Sequence, residues 1–106
     1  MSWEITPKEL KARLDHGESL QLVDVRTSEE LAIAALKGAI HIPLSDLIMR
    51  HQELNPDKET ILLCHHGMRS AQATLLLNQL GFEKIKNLSG GIDRWSEDVD
   101  PSVPRY

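Results

Sequence analysis

The chain carries one cysteine, Cys64, and it ends an apolar run, Thr60-Ile61-Leu62-Leu63. His65, His66, Gly67, Met68, Arg69 and Ser70 follow it. Apolar strand, cysteine, short glycine-containing loop, arginine, helix N-cap: in that order three physical effects converge on the sulfur. Backbone N–H groups of a tight loop turn inward and make an anion-binding concavity. The following helix, expected to be capped by Ser70, adds partial positive charge and free donors at its N-terminus. Arg69 adds a permanent cation. Thiols in such surroundings lose their proton easily, commonly with pKa values of ~3.5–7.5, and the thiolate is the nucleophile. A lone cysteine at a strand end is otherwise a small buried hydrophobe. Packing alone has no need of Gly67, Arg69 and a helix start immediately behind it.

Loop length narrows the chemistry. Four residues separate Cys64 from Arg69, one fewer than in the loop with which cysteine-dependent phosphatases wrap a tetrahedral phosphate. The smaller ring of donors suits a single extra sulfur atom on Cys64 better than a phosphoryl group.

The elements that must position this loop can be read from either side of it. Thr6-Pro7-Lys8-Glu9 is a capping box with proline at the first helical position, so a short helix opens there and stops at Gly17. Leu20 to Val25 reads as a buried strand. Thr27-Ser28-Glu29-Glu30 is a second capping box, opening a helix to about Ala35. Gly38 to Ile42 reads as a strand closed by Pro43, and Ser45 as the cap of a helix ending near Leu54. Asn55-Pro56-Asp57 is a turn. After the Thr60–Cys64 strand and the loop, a helix runs from Ser70 through Leu80 to Gly81. Lys84 to Leu88 is a last strand, and Ser89-Gly90-Gly91 turns into a short helix with Ile92 and Trp95 at i and i+3. Strands alternating with helices imply a parallel sheet. The expected fold is α/β and three-layered, with a mostly parallel central sheet of about five strands and helices on both faces. Ligands of such sheets gather beyond the carboxyl ends of the strands, where Cys64, Asp24 and Arg26 all fall.

Composition agrees with one ordinary domain. The chain has 106 residues, 41% hydrophobic and 26% charged, so residues 1–106 are expected to form a single domain, with 98–106 as an extended C-terminal tail. Twelve Lys+Arg against sixteen Asp+Glu give a formal net charge of −4, which argues against a nucleic-acid footprint and a polybasic membrane patch. A single cysteine excludes an internal disulfide framework and fits a reducing compartment. The N-terminal stretch has no apolar run of a signal peptide, and no segment approaches a membrane span. The expected location is cytoplasmic.

Taken in order, several segments make the sequence resemble a single-domain rhodanese, a member of the rhodanese-like sulfurtransferase superfamily. They are Leu22-Val23-Asp24-Val25-Arg26 with Glu29-Glu30, Gly38-Ala39-Ile40-His41-Ile42-Pro43, Cys64 to Ser70, and Leu80-Gly81-Phe82 with Asn87-Leu88-Ser89-Gly90-Gly91-Ile92 and Trp95. The resemblance implies double displacement. Cys64 attacks the outer sulfur of a donor such as thiosulfate, becomes a persulfide, releases sulfite, and passes the sulfur to cyanide or a thiol. It implies no metal or organic cofactor. The partners it implies are a small sulfur donor and acceptor, with a sulfur-relay protein as a further candidate.

The resemblance places Cys64 as nucleophile and Arg69 as loop cation, with His65, His66, Gly67, Met68 and Ser70 forming the binding loop. Arg69 has a structural alternative, a tie to Asp24 or Glu30, and its five donors allow both roles. Asp24 and Arg26 are expected to border the site and brace the loop, or else to be ordinary strand-end charges. His65 and His66 stand where thiosulfate-using rhodaneses often carry fixed cations. Ordinary imidazoles titrate near pH ~6.5, so thiosulfate turnover is expected to rise toward pH 6; plain exposed loop histidines are the alternative. A Cys64-His65-His66 metal site is disfavoured, because adjacent residues chelate poorly. The chain departs from the family pattern at Ala34-Ala35-Leu36-Lys37, where a Gly-His-Ile-Pro segment is usual. The histidine position is Ala35, which puts in doubt the hydrogen bonds that histidine would make. Two further readings stand beside the enzyme: a persulfide carrier or interaction module with little thiosulfate activity, and, against the loop length, a phosphatase or arsenate reductase.

Overall fold

The computed structural model describes residues 3–106. Five strands form one sheet: β1 (Glu4–Ile5), β2 (Gln21–Asp24), β3 (Ile40–His41), β4 (Thr60–Leu63) and β5 (Ile85–Leu88). Their order is β1-β5-β4-β2-β3, and every neighbouring pair is parallel. Four α-helices connect them, α1 (Pro7–Asp15), α2 (Ser28–Ile33), α3 (Leu47–Arg50) and α4 (Met68–Gln79), and α5 (Gly91–Asp98) follows β5.

The central strands β2 and β4 are buried along their whole length, and alternate side chains feed two cores. Val23, Leu62 and Cys64 pack with Leu47, Ala73 and Leu77 on the α3–α4 side. Leu22, Ile61 and Leu63 pack with Leu10, Ile92 and Trp95 on the α1–α5 side. The period-2 alternation of a strand therefore decides which layer each residue serves, and it sends Cys64 toward α4. Among the described residues no helix is long and apolar enough to cross a membrane.

Both capping boxes form, with Thr6 and Glu9 at α1 and Thr27 and Glu30 at α2. Four expectations need correction. Helix α2 ends at Ile33 rather than Ala35, because Ala34 turns extended and offers its carbonyl to Arg26 at 2.7 Å. Ser45 caps nothing: a 3-10 turn over Leu44–Asp46 leads into the single turn of α3. Helix α4 begins at Met68 with Gly67 at the N-cap, so Ser70 lies inside the first turn. Asp98 closes α5, so the tail begins at Val99, and it is not extended: it turns over 100–103, where the Val103 N–H donates to the Asp100 carbonyl at 3.1 Å. The two-residue edge strand β1 was not expected at all.

Candidate active site

Cys64 sits one residue beyond β4, at the carboxyl edge of the middle strand. Two backbone clamps fix it there. The N–H of Ile92 donates to the Cys64 carbonyl at 2.9 Å, and the N–H of Asp93 to the His65 carbonyl at 3.1 Å. Both donors belong to the first turn of α5, where N–H groups lack intrahelical partners. So close an approach requires Gly91, since a Cβ there would lie 2.5 Å from both carbonyl oxygens.

The loop then doubles back on the sulfur. Gly67 takes φ +102°, the left-handed region open to glycine, and its N–H donates to Cys64 Sγ at 3.0 Å. The Ser70 hydroxyl lies 3.3 Å from Sγ and 2.5 Å from Asn87 Oδ1. It has one proton for two acceptors, and the shorter contact is to Asn87. Asn87 Nδ2 in turn donates to the Gly67 carbonyl at 3.1 Å. One buried amide thus orients both groups that face the sulfur. The first bond within α4 runs from Ala71 N–H to Gly67 O, so the amides of Met68, Arg69 and Ser70 precede it and have no partner within the helix, as at any helix N-terminus. Cys64 is 1% exposed: the donors face it, and the cup is closed.

Arg69 is held by Glu30 in a bidentate pair, Nη1–Oε1 at 2.6 Å and Nη2–Oε2 at 2.8 Å. Of the two partners considered from sequence, Glu30 is the one it takes. The guanidinium keeps the Glu30 carboxyl well below the usual carboxylate range, and the carboxylate raises Arg69 in return. Asp24 pairs instead with Arg26, Oδ2 to Nη2 at 2.7 Å, with both side chains buried. Arg26 also donates to the Ala34 carbonyl and, through Nη1 at 2.7 Å, to the Tyr106 hydroxyl. That hydroxyl donates to Glu30 Oε2 at 2.7 Å. Arg26 also approaches the Glu30 carbonyl directly, Nη1 to O at 3.5 Å, so Asp24 and Arg26 are linked to Arg69 through Glu30, both along this backbone contact and by way of the Tyr106 hydroxyl. The Ala34–Lys37 segment that departs from the family pattern is anchored by Arg26 on Ala34 O and by burial of Leu36, while Ala35 is exposed.

His65 and His66 take different positions. The His65 ring lies flat on Tyr106, with centroids 3.8 Å apart and planes 4° from parallel. Its Nε2 is buried and makes no hydrogen bond among the described residues. The His66 side chain is exposed, with Nε2 3.9 Å from Asp93 Oδ2. Ligand atoms of His65, His66 and Asp93 fall within 4.8 Å of one another. However, both oxygens of Asp93 already accept from Arg105 at 2.9 and 3.1 Å, so a cation of the chain itself occupies that carboxylate. Met68 is exposed at the start of α4. Glu30 apart, the supporting roles of Asn87 and Tyr106 were not legible in sequence: Asn87 stands in a segment that carries the family resemblance, but nothing local ties either residue to the loop, and both lie well along the chain from it.

The profile of the Rhodanese-like domain family matches residues 6–98. A sulfurtransferase of Allochromatium vinosum is 35% identical over 100 residues, covering 94% of each chain. YrkF of Bacillus subtilis, provisionally named a sulfur carrier protein, is 38% identical over 93 residues, and the match spans 88% of this chain but only half of YrkF. The crystal structure of a rhodanese-related protein from Thermoplasma volcanium superposes with a TM-score of 0.84 at 34% identity, covering 95% of this chain and 96% of that one.

Proposed function

The chain belongs to the rhodanese-like domain family, whose relatives are named as sulfurtransferases and sulfur carriers, and from that membership we propose that Cys64 is its sulfur-accepting nucleophile. The Cys64 thiolate attacks the sulfane sulfur of a donor such as thiosulfate. A bond forms between Sγ and that sulfur, the donor's S–S bond breaks, and the electron pair leaves with sulfite. A thiophilic acceptor, cyanide or a thiol, then attacks the outer sulfur, and the pair of the breaking S–S bond returns to Cys64. Donors fixed at the α4 N-terminus stabilise the negative charge on Sγ before transfer and on the outer sulfur after it.

The observation that carries this reading is the Gly67 N–H donating to Sγ at 3.0 Å, in a loop clamped by α5 and closed by Arg69. The test is intact-mass measurement after incubation with thiosulfate. The protein should gain one sulfur atom and lose it to cyanide, and Cys64→Ser should gain none. Absence of any gain from thiosulfate and from protein persulfides alike would sink the reading.

A second reading, the persulfide carrier fed by a sulfur-relay protein, is favoured by one feature. Arg69 has both terminal nitrogens on Glu30, so little free positive charge is left to attract a dianionic donor. Sulfur gained from the persulfide of a cysteine desulfurase, with none from thiosulfate, selects the carrier.

A further inference from the structure

The tail returns to the Cys64 loop. Asp100 Oδ1 accepts from the Ser102 N–H and hydroxyl at 3.0 and 2.6 Å, which turns the chain back. Arg105 holds Asp93 at 2.9 and 3.1 Å. Tyr106 then lies flat on His65 and places its hydroxyl between Arg26 and Glu30. Its neighbours are thus the residue that follows the nucleophile and the carboxylate that grips the loop cation. Cys64 itself is nearly closed off. If Cys64 takes up sulfur, a donor must pass its loop to reach it, and this aromatic ring covers the His65 side of that loop.

Resting on that reading of Cys64, we propose that Tyr106 is a specificity-determining residue of the sulfur-transfer site: its ring is a movable wall between His65 and Glu30 that admits compact donors and holds out bulky ones until the tail lifts. The wall is held at its tip by the hydroxyl's bonds to Arg26 and Glu30 and at its base by the Arg105–Asp93 pair, and the base is the soft fastening. The Arg105 side chain is 53% exposed, and exposed ion pairs hold weakly. Tails and loops fastened this way open on the ns–μs scale.

Cys64 is the one cysteine of the chain, so alkylation reports on it alone and needs no sulfur transfer. Rates would be measured with iodoacetamide and with a fluorescein-linked iodoacetamide, in the parent protein, Tyr106→Ala, Tyr106→Phe and Arg105→Ala. Tyr106→Ala should raise the bulky reagent's rate roughly tenfold and the small reagent's by much less, because the open fraction sets the apparent rate. Tyr106→Phe, which keeps the ring but gives up its hydrogen bonds to Arg26 and Glu30, should gain about threefold with the bulky reagent, as should Arg105→Ala. The ratio of the two rates is the readout, since general loosening would raise both. An unchanged ratio in Tyr106→Ala overturns the wall, as does a Phe variant as open as the Ala variant. Arg105→Ala carries the test alone if Tyr106→Ala does not fold. Sulfur uptake from thiosulfate and from glutathione persulfide, weighed on the same variants, keeps the failures apart. No uptake from either donor sinks the reading of Cys64, whereas an unchanged alkylation ratio sinks the wall.

Discussion

At the scale of single residues, the site is governed by which carboxylate holds which guanidinium. Glu30 neutralises Arg69 across 2.6 and 2.8 Å, and Asp24 neutralises Arg26 in the dry interior. The first pair bears on the donor. Glu30→Gln would leave Arg69 a neutral partner and release its charge toward the mouth of the loop. The KM for thiosulfate should then fall several-fold and become steeper in ionic strength, as attraction between unlike charges is screened by salt, while the second half-reaction with cyanide changes little. Initial rates at low and high salt check this; an unchanged KM would mean that Arg69 does not face the donor. The nucleophile, the loop cation and the glycine were legible in sequence because they are contiguous and each answers a local demand. Asn87 was not. It is separated from Ser70 by 17 positions, and although it opens a segment that carries the family resemblance, its residue type and neighbours do not say that it aims Gly67 and Ser70 at a sulfur.

At the scale of elements, the site is the meeting of one strand end with two helix starts. The start of α4 brings the Gly67 N–H and the Ser70 hydroxyl to the sulfur, and α5 clamps the Cys64 and His65 carbonyls. The capping boxes at Thr6 and Thr27 were readable because they specify their own helix within four residues. The start of α4 was not, because serine is the usual N-cap and Ser70 looked like one. In the folded chain its hydroxyl is directed to Asn87 and Cys64, and Gly67 takes the cap by its positive φ. Strand β1 was invisible for another reason: two residues carry no period. The α5 clamp gives the sharper prediction. Gly91→Ala would place a methyl group 2.5 Å from two carbonyl oxygens at φ +63°, so the clamp must open. Sulfur transfer should fall by a factor of ten or more, and stability by about 1–3 kcal/mol. Denaturant titration alongside kinetics would separate the two effects. Gly17→Ala provides the control, because its φ of +78° lies near that of Gly91 and no atom lies within 4 Å of the added methyl.

At the scale of the whole molecule, a parallel sheet buried on both faces must be tied at its rims. Ion pairs provide several of those ties. Arg13 on α1 bridges to Glu59, just before β4, at 2.6 and 2.7 Å, so a helix of one layer is fixed to the entry of the central strand. The Arg13 guanidinium lowers the Glu59 carboxyl below its ordinary value. A carboxyl lowered in the folded chain binds its proton more readily when unfolded. Its contribution is therefore complete above the unfolded pKa of about 4.3 and is lost as pH falls through the lower folded value. Glu59→Gln removes that linkage. At pH 7 it should cost at most about 1 kcal/mol, since both side chains remain partly in water. That corresponds to a Tm lower by about 4–8 °C or less for a domain near this size. The difference between the two proteins should shrink steadily below about pH 4 and vanish once Glu59 is protonated in the folded state. Thermal melts of both from pH 7 to pH 2 test the tie directly. A Tm gap that stays constant to the lowest pH would show that Glu59 contributes through the packing of its side chain, leaving the charge across the α1–β4 rim without a part in the fold's acid stability.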